Sequence, residues 1–204
     1  MQLTGVLSIG LLIAIAFLEL DNKGRVTNFD LVKKAKRLLL AWLATTVLYI
    51  LVQIAYLLDQ PITASFDLTV IRSYLTQTSI GKSYLIQIIG IIVVLAISLK
   101  KVISTYIALL ISLIAITAAV FQSHGSTSGH HGLAIGALVI HVIALSFWVG
   151  GLFGLTQLGK EHKLIALPRF SSIALWSAIT VALTGTATAW TRLDSISAWQ
   201  SKYG

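Results

Sequence analysis

The sequence predicts an all-α fold, a polytopic transmembrane helical bundle of about six helices, and three observations carry that prediction. Hydrophobic residues fill 56% of the 204 positions, charged residues only 11%, and the mean hydropathy is +0.89. Water-soluble domains carry about a quarter of their residues charged, so this balance belongs to an integral membrane protein. Six apolar runs each approach the roughly 20 residues that a helix needs to cross a hydrocarbon layer about 30 Å thick. No stretch alternates with period two as barrel strands do, which leaves helices to satisfy the backbone in lipid.

The first run, Leu3 to Leu20, has the hydropathy of a secretory signal but lacks a basic leader and a small-x-small cleavage site, so it reads as a retained helix. Glu19 and Asp21 fall at its end, where their carboxylates reach the interface. Leu38 to Leu58 and Ser83 to Leu99 follow, the latter being the shortest of the six. Val102 to Phe121, Leu133 to Leu158 and Phe170 to Trp190 complete the set. Short connections and the lack of a second soluble block predict one domain over residues 1–204, with any chemistry between helices or at their mouths.

Cytoplasmic loops of membrane proteins carry the excess of Lys and Arg. One side of the expected topology holds Lys23, Arg25, Lys33, Lys34, Lys36 and Arg37, then Lys100 and Lys101, then Lys160, Lys163 and Arg169. The other side holds only Arg72, Lys82, Arg192 and Lys202. The N-terminus is therefore expected outside, together with the loop that precedes the fifth helix. This asymmetry also accounts for the sequence pI near 9.9: the basicity is topological and implies no nucleic-acid partner. The Lys33–Arg37 block is placed to touch anionic lipid headgroups.

Four of the five histidines lie between Phe121 and Leu155. His124, His130 and His131 sit in a Gly/Ser-rich loop at the mouth of the fifth helix, and His141 lies inside it. An ionisable side chain within a membrane segment is costly and marks a functional site by default. The chain has no cysteine and one methionine, Met1, so thiolate and thioether ligands are missing and imidazole is the strong donor that remains. His130 and His141 share a helix face but stand about 16 Å apart along the axis, too far to hold one ion. The pattern predicts a capture site at the outer mouth, from His124 with His130 or His131, and a deeper position at His141 completed by other helices. His162, beside Lys160, Glu161 and Lys163, reads as an ordinary loop residue.

Gly132/Gly136 and Gly150/Gly154 are two small-xxx-small pairs on the fifth helix, both expected to admit a neighbouring helix closely. Trp148 falls between His141 and the inner end, as a packing residue or a gate. The sixth helix carries Ser171, Ser172, Ser177, Thr180, Thr184, Thr186 and Thr188, hydroxyls that mostly bond their own backbone. Thr180 and Thr184 share a face one turn apart, and with Gly185 they are the surface expected to meet His141.

These residues carry a resemblance. SHGS at Ser123–Ser126, GHHGLA at Gly129–Ala134, IHVIALSFWVGGL at Ile140–Leu152, RFS at Arg169–Ser171, ALTGTATAW at Ala182–Trp190 and WQSKYG at Trp199–Gly204 follow in order and at family-like spacing. Together they resemble the copper-resistance D (CopD) family of bacterial inner-membrane proteins. The segment IRSYLTQTSIGKSYL at Ile71–Leu85 is similar to the longer actinobacterial form, in which this domain is fused to a cytochrome c oxidase assembly module. The resemblance implies a multi-pass plasma-membrane protein that moves or delivers copper, with a metal role for His124, His131 and His141. His130 joins them from spacing alone. It also implies a further helix after Trp199–Gly204, so the chain is expected to be truncated there. A periplasmic copper chaperone or an oxidase assembly partner would be the protein contacts.

Copper import or delivery through the four histidines is thus the function expected, with a copper ion as cargo. Two other classes stay open: a haem-binding electron-transfer bundle with His141 as one axial ligand, and a non-transporting scaffold for oxidase assembly. No enzyme is expected, because the bundle has no paired carboxylates, no nucleotide-binding glycine loop and no nucleophile next to a base.

Overall fold

The structure is a computed structural model, and it describes residues 1–18, 28–118, 120 and 131–190. Helix α1 spans Gln2–Ile13 and runs into a π-helical turn, Ala14–Leu18. Helix α2 is Phe29–Leu58, followed by a 3₁₀ turn, Ile62–Phe66, and the short helix α3, Leu68–Gln77. Then come α4, Ser79–Ala96, and α5, Val102–Ala118. Helix α6, His131–Leu145, passes through a second π turn, Ser146–Gly150, into α7, Gly151–Thr156, and α8 is Lys160–Trp190. No strand occurs among the described residues. Over the described residues each of the six expected spans is mostly helical, with the third ending at Ala96 rather than Leu99 and the fifth at Thr156 rather than Leu158. Residues 29–58, 79–96, 135–156 and 160–189 are long and apolar enough to cross a bilayer, whereas residues 2–18 and 102–118 are shorter. At 1.5 Å per residue the 17 residues of α5 cover about 25 Å, close to the hydrocarbon thickness.

Two boundaries expected from the sequence move. Lys33, Lys34, Lys36 and Arg37 lie on α2 rather than in a loop, because Asn28 caps the helix early: its side-chain oxygen accepts the Leu31 backbone N–H at 3.0 Å. Asp30 in the first turn adds a carboxylate at the positive end of the helix dipole. Lys160, Lys163 and Arg169 likewise belong to α8, which starts at Lys160 and continues through Pro168. Asn28→Ala is expected to cost about 1 kcal/mol, and Asn28→Asp almost nothing. Thermal unfolding followed by tryptophan fluorescence checks this; equal melting of Asn28→Ala and wild type would remove the capping argument.

Helix α1 is the centre of the molecule. Every side chain from Ile9 to Ala16 is buried, which suits a helix that is apolar on all sides. It packs on α2, α5, α7 and the second π turn, while α4 closes the layer against α2 and α5. Trp42 is wholly buried, with its ring over Gly5 beside Ile116. Thr4 and Thr45 share a hydrogen bond of 3.0 Å, and the Gln87 amide donates to Thr46 at 2.8 Å. These contacts set α1 antiparallel to α2. Gly10 meets Gly150 and Gly154 in turn, so α6 and α7 run parallel to α1.

Helices α6 and α8 form an antiparallel hairpin beside this core, with large apolar side chains of α8 turned outward: Leu164 is 77% exposed, Trp176 67% and Leu183 67%. Such residues on a membrane helix face lipid rather than water. Met1, the C-terminal end of α5 and the start of α6 share one end of the bundle, and Met1 packs against the cluster of Ile50, Ile54, Tyr74 and Tyr84. Helix α3 is therefore at that end too. The apolar-run argument missed α3, whose mixed face reads as a loop; Asp67 starts it by accepting the Thr69 N–H at 2.7 Å.

Candidate metal centre

His141 lies almost three turns into α6, half-buried against α8. Its Nδ1 is 3.0 Å from the Thr184 hydroxyl. Gly185 lets the ring lie close: a Cβ there would stand 3.7 Å from His141 Cε1. Of the surface expected from the sequence, Thr184 and Gly185 meet the histidine.

Thr184 donates its single hydroxyl proton to the Thr180 carbonyl at 2.6 Å. Its remaining lone pair can only accept, so the proton in the bond to His141 belongs to Nδ1. This assignment follows from the partners, since protons are inferred from the bonding pattern. In the neutral tautomer that carries its proton on Nδ1, the Nε2 lone pair is the one that can bind a metal. A bond from the nitrogen that does not face the metal fixes the tautomer and orientation of a ligating histidine. The other hydroxyls behave as expected: Thr180 donates to the Trp176 carbonyl at 2.8 Å, Thr186 to Ala182 at 2.9 Å and Thr188 to Thr184 at 2.8 Å.

The remaining sequence candidates are placed unevenly. His124 and His130 lie outside the described residues. His131 opens α6 at the end shared with α3, about 15 Å along the axis from His141, so the two belong to different positions. His162 is exposed in the first turn of α8, at the opposite end. Among the described residues no three His, Cys, Asp or Glu side chains converge on one point.

Two expectations about α6 change. Of the glycine pairs, Gly150/Gly154 does receive a helix, namely α1 at Gly10, whereas nothing approaches Gly136 within 4 Å. Among the described residues no helix packs against Gly136. Trp148 is 38% exposed on the second π turn. Its ring stands partly at the surface of the bundle.

Sequence reasoning also missed the paired π turns, which touch through Phe17 and Phe147, ring centroids 6.4 Å apart, with Tyr106 against Phe17 at 5.2 Å. Insertions of this type cluster at functional sites, but no local composition marks them. A second omission is the buried polar set of the core. Trp42 Nε1, Gln87 Oε1 and Ser112 Oγ are enclosed without protein partners, and Gln87 in an apolar run was the available signal.

Fold and site together define a polytopic helical bundle in which His141 is hydrogen-bonded between two helices that both belong to apolar spans. Residues 1–134 match the family model of the copper resistance protein D-like N-terminal domain, and the chain belongs to that family. His124, His130 and His131 fall within the matched residues; His141 and Thr184 follow them. Comparisons with curated proteins and with solved structures give no match.

Proposed function

We propose that the chain imports copper, or delivers it, across the bacterial plasma membrane, taking the ion at the outer end through His124, His130 and His131 and passing it to His141. The observation that carries this reading is the Nδ1 bond of His141 to Thr184 at 3.0 Å, which leaves Nε2 as a basic nitrogen within a membrane helix. Family membership supplies the ion, and an imidazole donor suits copper in a chain with no cysteine. The Lys and Arg bias supports the orientation in which the histidine loop faces outward. A relay, rather than one closed site, follows from the axial separation of His131 and His141, with each position weak enough to release the ion to the next.

Copper accumulation in cells expressing the protein tests the reading. The wild type is expected to change cellular copper relative to an empty strain, and His124→Ala/His131→Ala/His141→Ala is expected to abolish the change. Identical accumulation by wild type and triple variant at equal expression would end the transport reading.

A further inference from the structure

We propose that the cleft between the C-terminal turn of α2 and helix α3 binds a membrane phospholipid, with an acyl chain on the α2 wall and the glycerol-ester and phosphate region along α3. This site is independent of the copper reading and uses none of its residues.

The cleft encloses about 380 Å³, within the roughly 300–1,000 Å³ of small-molecule sites. Its two walls differ in chemistry. Ile54, Leu57 and Leu58 of α2 form an apolar side, and Thr69, Ser73 and Gln77 of α3 form a polar ladder at four-residue spacing. Tyr74 lies between them, 7% exposed, with its hydroxyl enclosed and without a protein partner. The apolar α2 wall beside the Thr69, Ser73 and Gln77 side chains suits an occupant that is mostly apolar and carries a polar group toward α3. Burial, reinforced by Tyr49, holds the Tyr74 phenol above its usual pKa, which keeps it a protonated donor.

Continuity with the lipid-facing surface identifies the occupant. The outward stripe of α2 runs through Leu40, Val47, Leu48 and Val52, each between 43% and 56% exposed, and ends at Leu57 and Leu58 in the cleft wall. Around the mouth, Ile62, Phe66 and Leu68 are 42%, 62% and 81% exposed, a collar that seats the 3₁₀ turn and α3 in the interfacial layer. A chain lying on α2 therefore reaches the cleft without leaving hydrocarbon. Arg72, exposed beside Ser73 and without a salt bridge among the described residues, is placed to meet the phosphate.

Native mass spectrometry of the full chain in detergent, supplied with palmitoyl-oleoyl phosphatidylglycerol, tests the site. The wild type is expected to keep one lipid per chain at an activation that strips loosely held lipid. Ser73→Trp, which fills the cleft, is expected to lose it, and Arg72→Gln, at an exposed position that leaves folding intact, to reduce retention several-fold. Fluorescence melting confirms that Ser73→Trp is folded; should it not be, the Arg72→Gln comparison decides. No retained lipid in the wild type, or equal retention in the wild type and a folded variant, would overturn the proposal. So would a second copy of the chain held in place of lipid and lost in Ser73→Trp.

Discussion

Gly10→Leu is expected to abolish the native bundle in detergent. A Cβ at Gly10 would fall on the Gly150 carbonyl, and the Gly10 carbonyl in turn fills the space where a Gly154 Cβ would stand. Both obstacles are backbone, so no rotamer change relieves them. Overpacking a core against movable side chains costs about 1–3 kcal/mol, and forcing two backbones apart exceeds that. The separation would also part α1 from the π turn and α7, the contacts that tie the α6/α8 hairpin to the core. Gly136→Leu is the matched control, since nothing lies within 4 Å of a Cβ there, and it is expected to melt like wild type. Tryptophan-fluorescence melting and size-exclusion profiles read the difference. A Gly10→Leu protein that stays monodisperse and melts within a few degrees of Gly136→Leu would show that α1 does not depend on this crossing.

The second large effect is expected at His141. In a His124→Ala/His130→Ala/His131→Ala background, purified protein equilibrated with copper should retain metal, and adding His141→Ala should remove it. Thr184 separates ligation from packing. Thr184→Val deletes the acceptor that holds Nδ1–H and should weaken copper binding about 10- to 100-fold, the usual cost of losing a ligand-orienting bond. Thr184→Ser keeps the hydroxyl and should bind nearly as well as the background protein. Nitrogen chemical shifts of the imidazole supply a readout without metal: Nδ1 should be the protonated nitrogen in wild type and Thr184→Ser, and the preference should fade in Thr184→Val. Equal copper content with and without His141 would remove this residue from the path.

Much of this architecture was legible in the residues. Apolar runs located the four long helical spans and the two shorter apolar ones, because transfer of a segment into hydrocarbon depends on its own side chains and is a local property. The meeting of His141 with Thr184 and Gly185 was legible for a related reason: a hydroxyl stripe and a glycine on one face of α8 mark the side of a helix that lipid does not favour. Helix α3 escaped because it lies at the interface and carries no apolar run. Its existence depends on caps at Asp67 and Thr78 and on Gly81, where a Cβ would meet the Tyr74 carbonyl.

By itself, then, the sequence determined the all-helical class, the six apolar helices and the facing of α6 and α8. Only the tertiary structure decided that α1 is the central helix, that Gly150/Gly154 receives Gly10 while Gly136 has no described neighbour, that the two π turns meet through Phe17 and Phe147, and that Nδ1 of His141 is the nitrogen bonded to Thr184. The physical reason is that hydropathy drives each helix into the bilayer but supplies no force between helices once there. Partner choice then rests on the fit of small residues and a few hydrogen bonds across distant parts of the chain, which no single segment encodes.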